Sequence, residues 1–137
     1  MFIVIMLTEQ VIVTMQTNWN DNQPIYIQLR EKVIALILDG GLSEGDALPS
    51  VRNVSSEYRV NPITVSKAYQ TLVDDELVEK RRGLGMFVKS DAKSILLKSE
   101  IKKFMDHDWP EIMSRIKRLG LSAEELLVVG KNAKGDS

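Results

Sequence analysis

The chemistry open to this chain is narrow. Its 137 residues contain no Cys and a single His. Disulfides, thiolate zinc sites and thiol nucleophiles are therefore excluded, as is a two-histidine zinc motif. His107 stands between Asp106 and Asp108, but adjacent residues on a helix point in different directions and do not converge on one ion. With no acid–base or nucleophilic set, the sequence reads as a non-enzyme without metal or cofactor. What remains is cationic: Arg52, Lys67, Lys80, Arg81, Arg82 and Lys89 lie in one stretch of the chain, and such side chains neutralise phosphate.

Overall charge carries no comparable signal. Lys plus Arg number 18 and Asp plus Glu 19, a formal net charge of −1. Residues 50–90 hold seven Lys or Arg against five Asp or Glu, so any basic face is local. Apolar residues at 44% and charged residues at 27% are an ordinary globular balance. The length suits one domain, or one small domain with an appendage, and a core that needs no staples. The longest apolar run, Met1–Leu7, falls far short of the roughly 18 residues of a membrane span. It also lacks the basic start and cleavage site of a signal peptide. The expected address is the cytoplasm, with no membrane partner.

Periodicity supplies the elements that must position the cations. Residues 1–21 form an N-terminal extension, either a hairpin or added strand from Met1–Leu7 and Val11–Thr14 or a loose leader. From Pro24, Ile25, Leu29, Val33, Leu36 and Ile37 trace one helical face, stopped by Gly40 and Gly41. Ser50 caps a short second helix with Val51, Val54, Ser55 and Tyr58 on one side. Asn61 and Pro62 break it and open a third. There Val65, Ala68, Tyr69, Leu72 and Val73 face inward, and Ile63, Ser66, Lys67 and Gln70 outward. Tyr58 and Tyr69 read as core. Leu77–Lys80 and Met86–Val88 flank a five-residue loop with two glycines, a hairpin signature.

Beyond Ser90 a helical region, residues 91–130, carries an apolar stripe of Leu97, Ile101, Phe104, Met105, Ile112, Ile116 and Leu119, with Trp109 as an interface or core residue. Pro110 imposes a kink or a new helix start. A capping box at Ser122–Glu125 opens a last helix through Leu127, and residues 131–137 read as a disordered tail. The stripe spans about six helical turns, and a tail this short cannot fold over it, so a homodimer is expected to bury it.

Helices two and three, joined by a tight break, suit a helix-turn-helix, and the hairpin suits its wing. The expected fold is mainly α with a small β-hairpin, a winged helix-turn-helix over residues 22–90 followed by a short helical dimerisation tail. On spacing alone, a three-helix packing unit with no DNA role remains open, as does an assembly module that uses a winged helix without reading DNA. A third reading is a small-molecule sensor.

Several ordered motifs carry a more specific signal. They are Pro24-Ile25-Tyr26-Ile27-Gln28, Gly45-Asp46-Ala47-Leu48-Pro49-Ser50-Val51-Arg52, Val60-Asn61-Pro62-Ile63-Thr64-Val65 with Ala68-Tyr69-Gln70, and Arg81-Arg82-Gly83-Leu84-Gly85-Met86-Phe87-Val88. Together they resemble the GntR family of bacterial transcription regulators over roughly residues 22–128. The ending Arg118-Leu119-Gly120-Leu121-Ser122-Ala123-Glu124-Glu125-Leu126-Leu127 resembles its YtrA subfamily. The resemblance implies a dimeric repressor on an inverted-repeat, double-stranded DNA operator, often near transporter genes; a small-molecule effector of unknown identity is a further expected partner. It carries DNA contacts onto Arg52, Ile63, Thr64, Ser66, Lys67, Arg81, Arg82, Gly83 and Gly85. Asn61 and Gln70, at the start and on the outer face of helix three, complete the expected set. The chain departs from the family pattern at Glu76, where Gly is common, at Leu84 and Met86 in the wing, and at Ile63. The alternative for Arg52 is a carboxylate pair, and for Ile63 a staple folded back against helix two.

Overall fold

The computed structural model describes residues 19–135. The strand readings of Met1–Leu7 and Val11–Thr14 lie outside the described residues. The fold divides into two units, one ending at Leu97 and the other starting at Lys98.

The first unit contains α1 (Ile25–Asp39), α2 (Val51–Tyr58), α3 (Pro62–Asp74), β1 (Val78–Arg81), β2 (Gly85–Val88) and the start of α4 (Ala92–Lys103). The apolar faces expected from spacing form its core: Leu29, Val33 and Ile37 meet Val54, Val65, Ala68, Tyr69 and Leu72, closed by Leu77, Val78, Val88 and Leu96. The turn between α2 and α3 is specified locally. Arg59, at the end of α2, takes φ 53°, and the Val60 N–H bonds back to the Ser55 carbonyl at 3.2 Å. Asn61 Oδ1 accepts the Ile63 N–H at 2.9 Å, and Pro62 fills the first turn, where its missing N–H costs nothing. Ser50 Oγ caps α2 by accepting the Asn53 N–H at 3.0 Å.

The strands pair antiparallel, Val78 opposite Val88 and Arg81 opposite Gly85. Ala47 bridges Phe87, the Leu48 N–H donates to the Met86 carbonyl at 2.9 Å, and the Val88 N–H donates to the Asp46 carbonyl at 2.9 Å. The loop before α2 thus binds the wing's second strand to the helix-turn-helix. The Tyr69 hydroxyl donates to the Pro49 carbonyl at 2.7 Å and fixes α3 against the same loop. Before α1, buried Gln28 accepts the Asn20 N–H at 2.7 Å and donates to the Asn20 and Gln23 carbonyls at 2.6 and 2.8 Å. Trp19 meets Tyr58 edge-on at 6.4 Å. Trp19 and Asn20, expected to belong to the extension, therefore contact residues of the helix-turn-helix and α1.

The second unit contains a π-helical turn (Phe104–Asp108), α5 (Trp109–Leu119) and α6 (Ala123–Gly135). The π turn is how the chain accommodates Pro110. Proline lacks an N–H and its ring clashes with the carbonyl four residues back, whereas the wider turn carries the Trp109 N–H to the Phe104 carbonyl. Gly120 ends α5 at φ 68°. The capping box forms reciprocally: Glu125 accepts the Ser122 N–H and Ser122 Oγ accepts the Glu125 N–H, both at 3.1 Å. The last helix corrects the expected end at Leu127 and the expected disorder of residues 131–135, because it runs on to Gly135; the rest of the expected disordered tail, residues 136–137, lies outside the described residues. Gly130 inside it costs only about 1 kcal/mol relative to Ala, and no proline follows to stop it. No helix among the described residues is long and apolar enough to cross a membrane.

Candidate nucleic-acid interface

The buried side of α3 dictates its exposed one. With Val65, Ala68, Tyr69 and Leu72 in the core, the 3.6-residue period leaves Ile63, Ser66, Lys67 and Gln70 outward, and all four are exposed. Ile63 is 76% exposed, so it does not fold back as a staple against α2. Thr64 is half-buried beside it. The Asn61 side-chain oxygen is committed to its cap. Gln70 Nε2 donates to Asp74 Oδ1 at 2.9 Å. The Lys67 ammonium lies 4.0 Å from the centroid of the Tyr26 ring on α1.

Arg52 is exposed on the first turn of α2, and among the described residues no carboxylate pairs with it. In the wing, Arg81 Nε and Nη2 both reach Glu79 Oε1, at 2.9 and 2.8 Å, and the guanidinium covers the Phe87 ring at 4.3 Å. Lys80 and Arg82 are exposed, and no carboxylate among the described residues neutralises them. Leu84 forms the tip, 72% exposed, between Gly83 and Gly85 at φ 77° and 114°. Those two values require residues without a Cβ penalty. One cleft of about 420 Å³ is lined by Ser50, Ser66, Gln70, Lys80, Arg81 and Gly83. The start of α2, the outer face of α3 and the wing therefore border the same concavity. Hydroxyl, amide and guanidinium donors around such a groove match a polyanionic backbone flanked by base edges.

Sequence reasoning missed three participants. Glu79 shares a strand face with Arg81, two residues on, and Phe87 lies opposite Glu79 in the ladder, a neighbourhood that the period of two could have disclosed. Tyr26 gave no local signal, because its partner lies on another helix.

In the second unit, Ile101, Phe104, Met105, Trp109, Ile112 and Leu119 are exposed, as is Leu97 at the end of the first. Ile116 is half-buried. A groove of about 1040 Å³ between α5 and α6 is lined by Trp109, Ile112, Met113, Ile116, Leu121, Leu126 and Leu127. Met113, Leu121, Leu126 and Leu127 extend the apolar set beyond the stripe read from sequence. From Lys98 on, no described side chain is fully buried.

Comparison with known proteins gives this arrangement its context. The sequence profile of the bacterial regulatory proteins, gntR family, matches residues 25–88, from α1 through β2. An HTH-type transcriptional regulator of Bacillus subtilis, YhcF, is 32% identical over 114 residues, covering 82% of this chain and 92% of that protein. The B. subtilis HTH-type transcriptional repressor YtrA is 36% identical over 86 residues, 63% of this chain and 66% of that protein. A GntR family transcriptional regulator from Listeria monocytogenes superposes with a TM-score of 0.68 at 28% identity, covering 83% of this chain and 98% of that one. YtrA from Sulfolobus acidocaldarius, a GntR-family transcription factor, superposes with a TM-score of 0.53 at 33% identity, over 68% and 98%. With its capped helix-turn-helix, glycine-tipped wing and short helical tail, the chain belongs to the GntR family of bacterial regulatory proteins, beside the YtrA-type regulators, and is a DNA-binding regulator of transcription.

Proposed function

We propose that the protein is a repressor that binds an inverted-repeat operator as a homodimer, with transporter genes among those it controls. The observation that carries this reading is the outward face of α3, with Ile63, Ser66, Lys67 and Gln70 exposed along one side and the wing's cations beside it. In this reading Ile63 and Ser66 meet base edges in the major groove, where a helix of this size fits. Arg52, Lys67 and Arg82 take phosphates and set the register. Gly83 and Gly85 let the wing backbone approach the duplex closely. The tail pairs two copies, so that the two-fold axis of the protein matches that of the operator. The repressor assignment rests on likeness to YtrA of B. subtilis. A small-molecule effector is a partner that this reading accommodates, and no described cavity is assigned to it.

The test is a mobility-shift assay with the duplex upstream of the protein's own operon, in excess unspecific DNA. A retarded complex at sub-micromolar protein, weakened by Ser66→Ala and Arg52→Ala, is expected. Equal affinity for the upstream duplex and a scrambled one would overturn the reading.

A further inference from the structure

Lys67 is held in place without being neutralised. Arg30, Arg81 and Lys102 each meet a carboxylate, from Asp75, Glu79 and Asp106. Lys67 meets an aromatic face instead, its Nζ 4.0 Å from the centroid of Tyr26. The residues three and four positions away on α3, namely Ile63, Thr64, Gln70 and Thr71, include no acid, and the first turn of α1 carries none either. A ring quadrupole attracts a cation but leaves its full charge in place. A free lysine must surrender several rotamers to grip a phosphate; one resting on a half-buried tyrosine has surrendered them already.

From this we infer that Tyr26 is a positioning residue for DNA binding: it pre-orients the Lys67 ammonium toward a backbone phosphate. This rests on the reading of α3 as the DNA-facing helix. It adds a residue of α1, away from that helix, and makes Lys67 a contact blind to sequence.

The experiment is a double-mutant cycle in the full chain, read as duplex affinity against salt, on both the upstream duplex and a scrambled one. Tyr26→Leu removes the ring face and should weaken binding to both duplexes by about two- to five-fold, the worth of an exposed cation–π contact. Tyr26→Phe keeps the face and should bind as the wild type does. Lys67→Met should flatten the salt slope by about 0.9 per monomer. In the Lys67→Met background, Tyr26→Leu should cost nothing further. A purely structural tyrosine would cost the same in both backgrounds, which overturns the inference, as does a loss in Tyr26→Phe equal to that in Tyr26→Leu. A readout without DNA is the proton resonance of the Lys67 ε-methylene. It should lie upfield in the free protein and return to its ordinary position in Tyr26→Leu; an unshifted resonance in the wild type also overturns the inference. A wild type that binds both duplexes equally sinks the operator reading but leaves the cycle measurable, so the two failures are distinct.

Discussion

Ile63 is the side chain whose chemistry least suits water, yet it is 76% exposed at the start of α3. No described apolar neighbour shields it, and a recognition helix reaches deepest into the groove near its start. A thymine methyl is the base feature that would cover an isoleucine. Each half-site is expected to carry a T·A pair at that step. Ile63→Asn should move the preference there to adenine, by about 1–3 kcal/mol, in operator selection from a random library. Coincident selected sequences for the two proteins would show that Ile63 makes no base contact. Tyr69 shows the opposite case, a polar atom that chemistry keeps inside. Its hydroxyl donates to the Pro49 carbonyl, and burial, with a smaller contribution from nearby Tyr58, raises its ionisation above the ordinary tyrosine range. The unfolded phenol ionises near pH 10 while the folded one stays neutral. This contribution to stability is therefore intact below about pH 10 and lost as pH rises toward the folded value. Tyr69→Phe should cost about 1–3 kcal/mol at neutral pH, by stranding a buried carbonyl. It should also reduce the alkaline loss of stability, measured by urea unfolding between pH 8 and pH 11.

At the scale of elements, the ends of the helices bear the strain. Glu76 follows α3 at φ 60°, and the Leu77 N–H closes the motif on the Leu72 carbonyl at 3.0 Å, with both leucines buried. The left-handed conformation costs a non-glycine residue about 1–2 kcal/mol, partly offset by the greater freedom glycine has when unfolded. Glu76→Gly should therefore stabilise the fold by about 0.5–1 kcal/mol, seen as a higher urea midpoint at unchanged slope. In the wing, Arg81 is already paired with Glu79. Glu79→Gln should release it and tighten binding to any duplex at low salt. Replacing Arg81 and Arg82 together with Ala should flatten the salt slope by about one to two units per monomer. An unchanged slope would place the wing off the backbone. The helices, their caps and the hairpin were legible because the apolar spacing, Ser50, Asn61-Pro62 and the wing glycines act within a few residues. The bridge from Ala47 to Phe87 and the tyrosine under Lys67 were not, because distant segments make them. The π turn was half legible: Pro110 announced a disturbance, but a kink, a fresh start and a widened turn all answer it. The length of α6 was misjudged because one glycine weakens a helix without ending it.

The whole molecule turns on what covers the tail. In the second unit Trp109, Ile112, Met113, Leu121, Leu126 and Leu127 line an apolar groove, and no described side chain from Lys98 on is fully buried. A face of this kind in a chain of net charge −1 is unfavourable in water and invites association. In the proposed homodimer a second copy would cover it by two-fold pairing, each groove meeting the equivalent helices of its partner. The consequence reaches the DNA. Two recognition helices fixed to one another would bind the second half-site intramolecularly, and such linkage can exceed single-site affinity by about 10²–10⁴. Ile112, partly exposed at the groove, is the place to break this. Ile112→Glu puts a charge into the apolar seam while leaving the core of the first unit untouched. The wild type is expected to sediment as a dimer at micromolar concentration, and the variant as a monomer. The variant's affinity for the full operator should fall toward that for a single half-site, and its circular dichroism should still report folded helices. A wild type that sediments as a monomer removes the dimer. A monomeric variant that holds the operator as tightly as the wild type would show that the tail pairs for a purpose other than reading DNA.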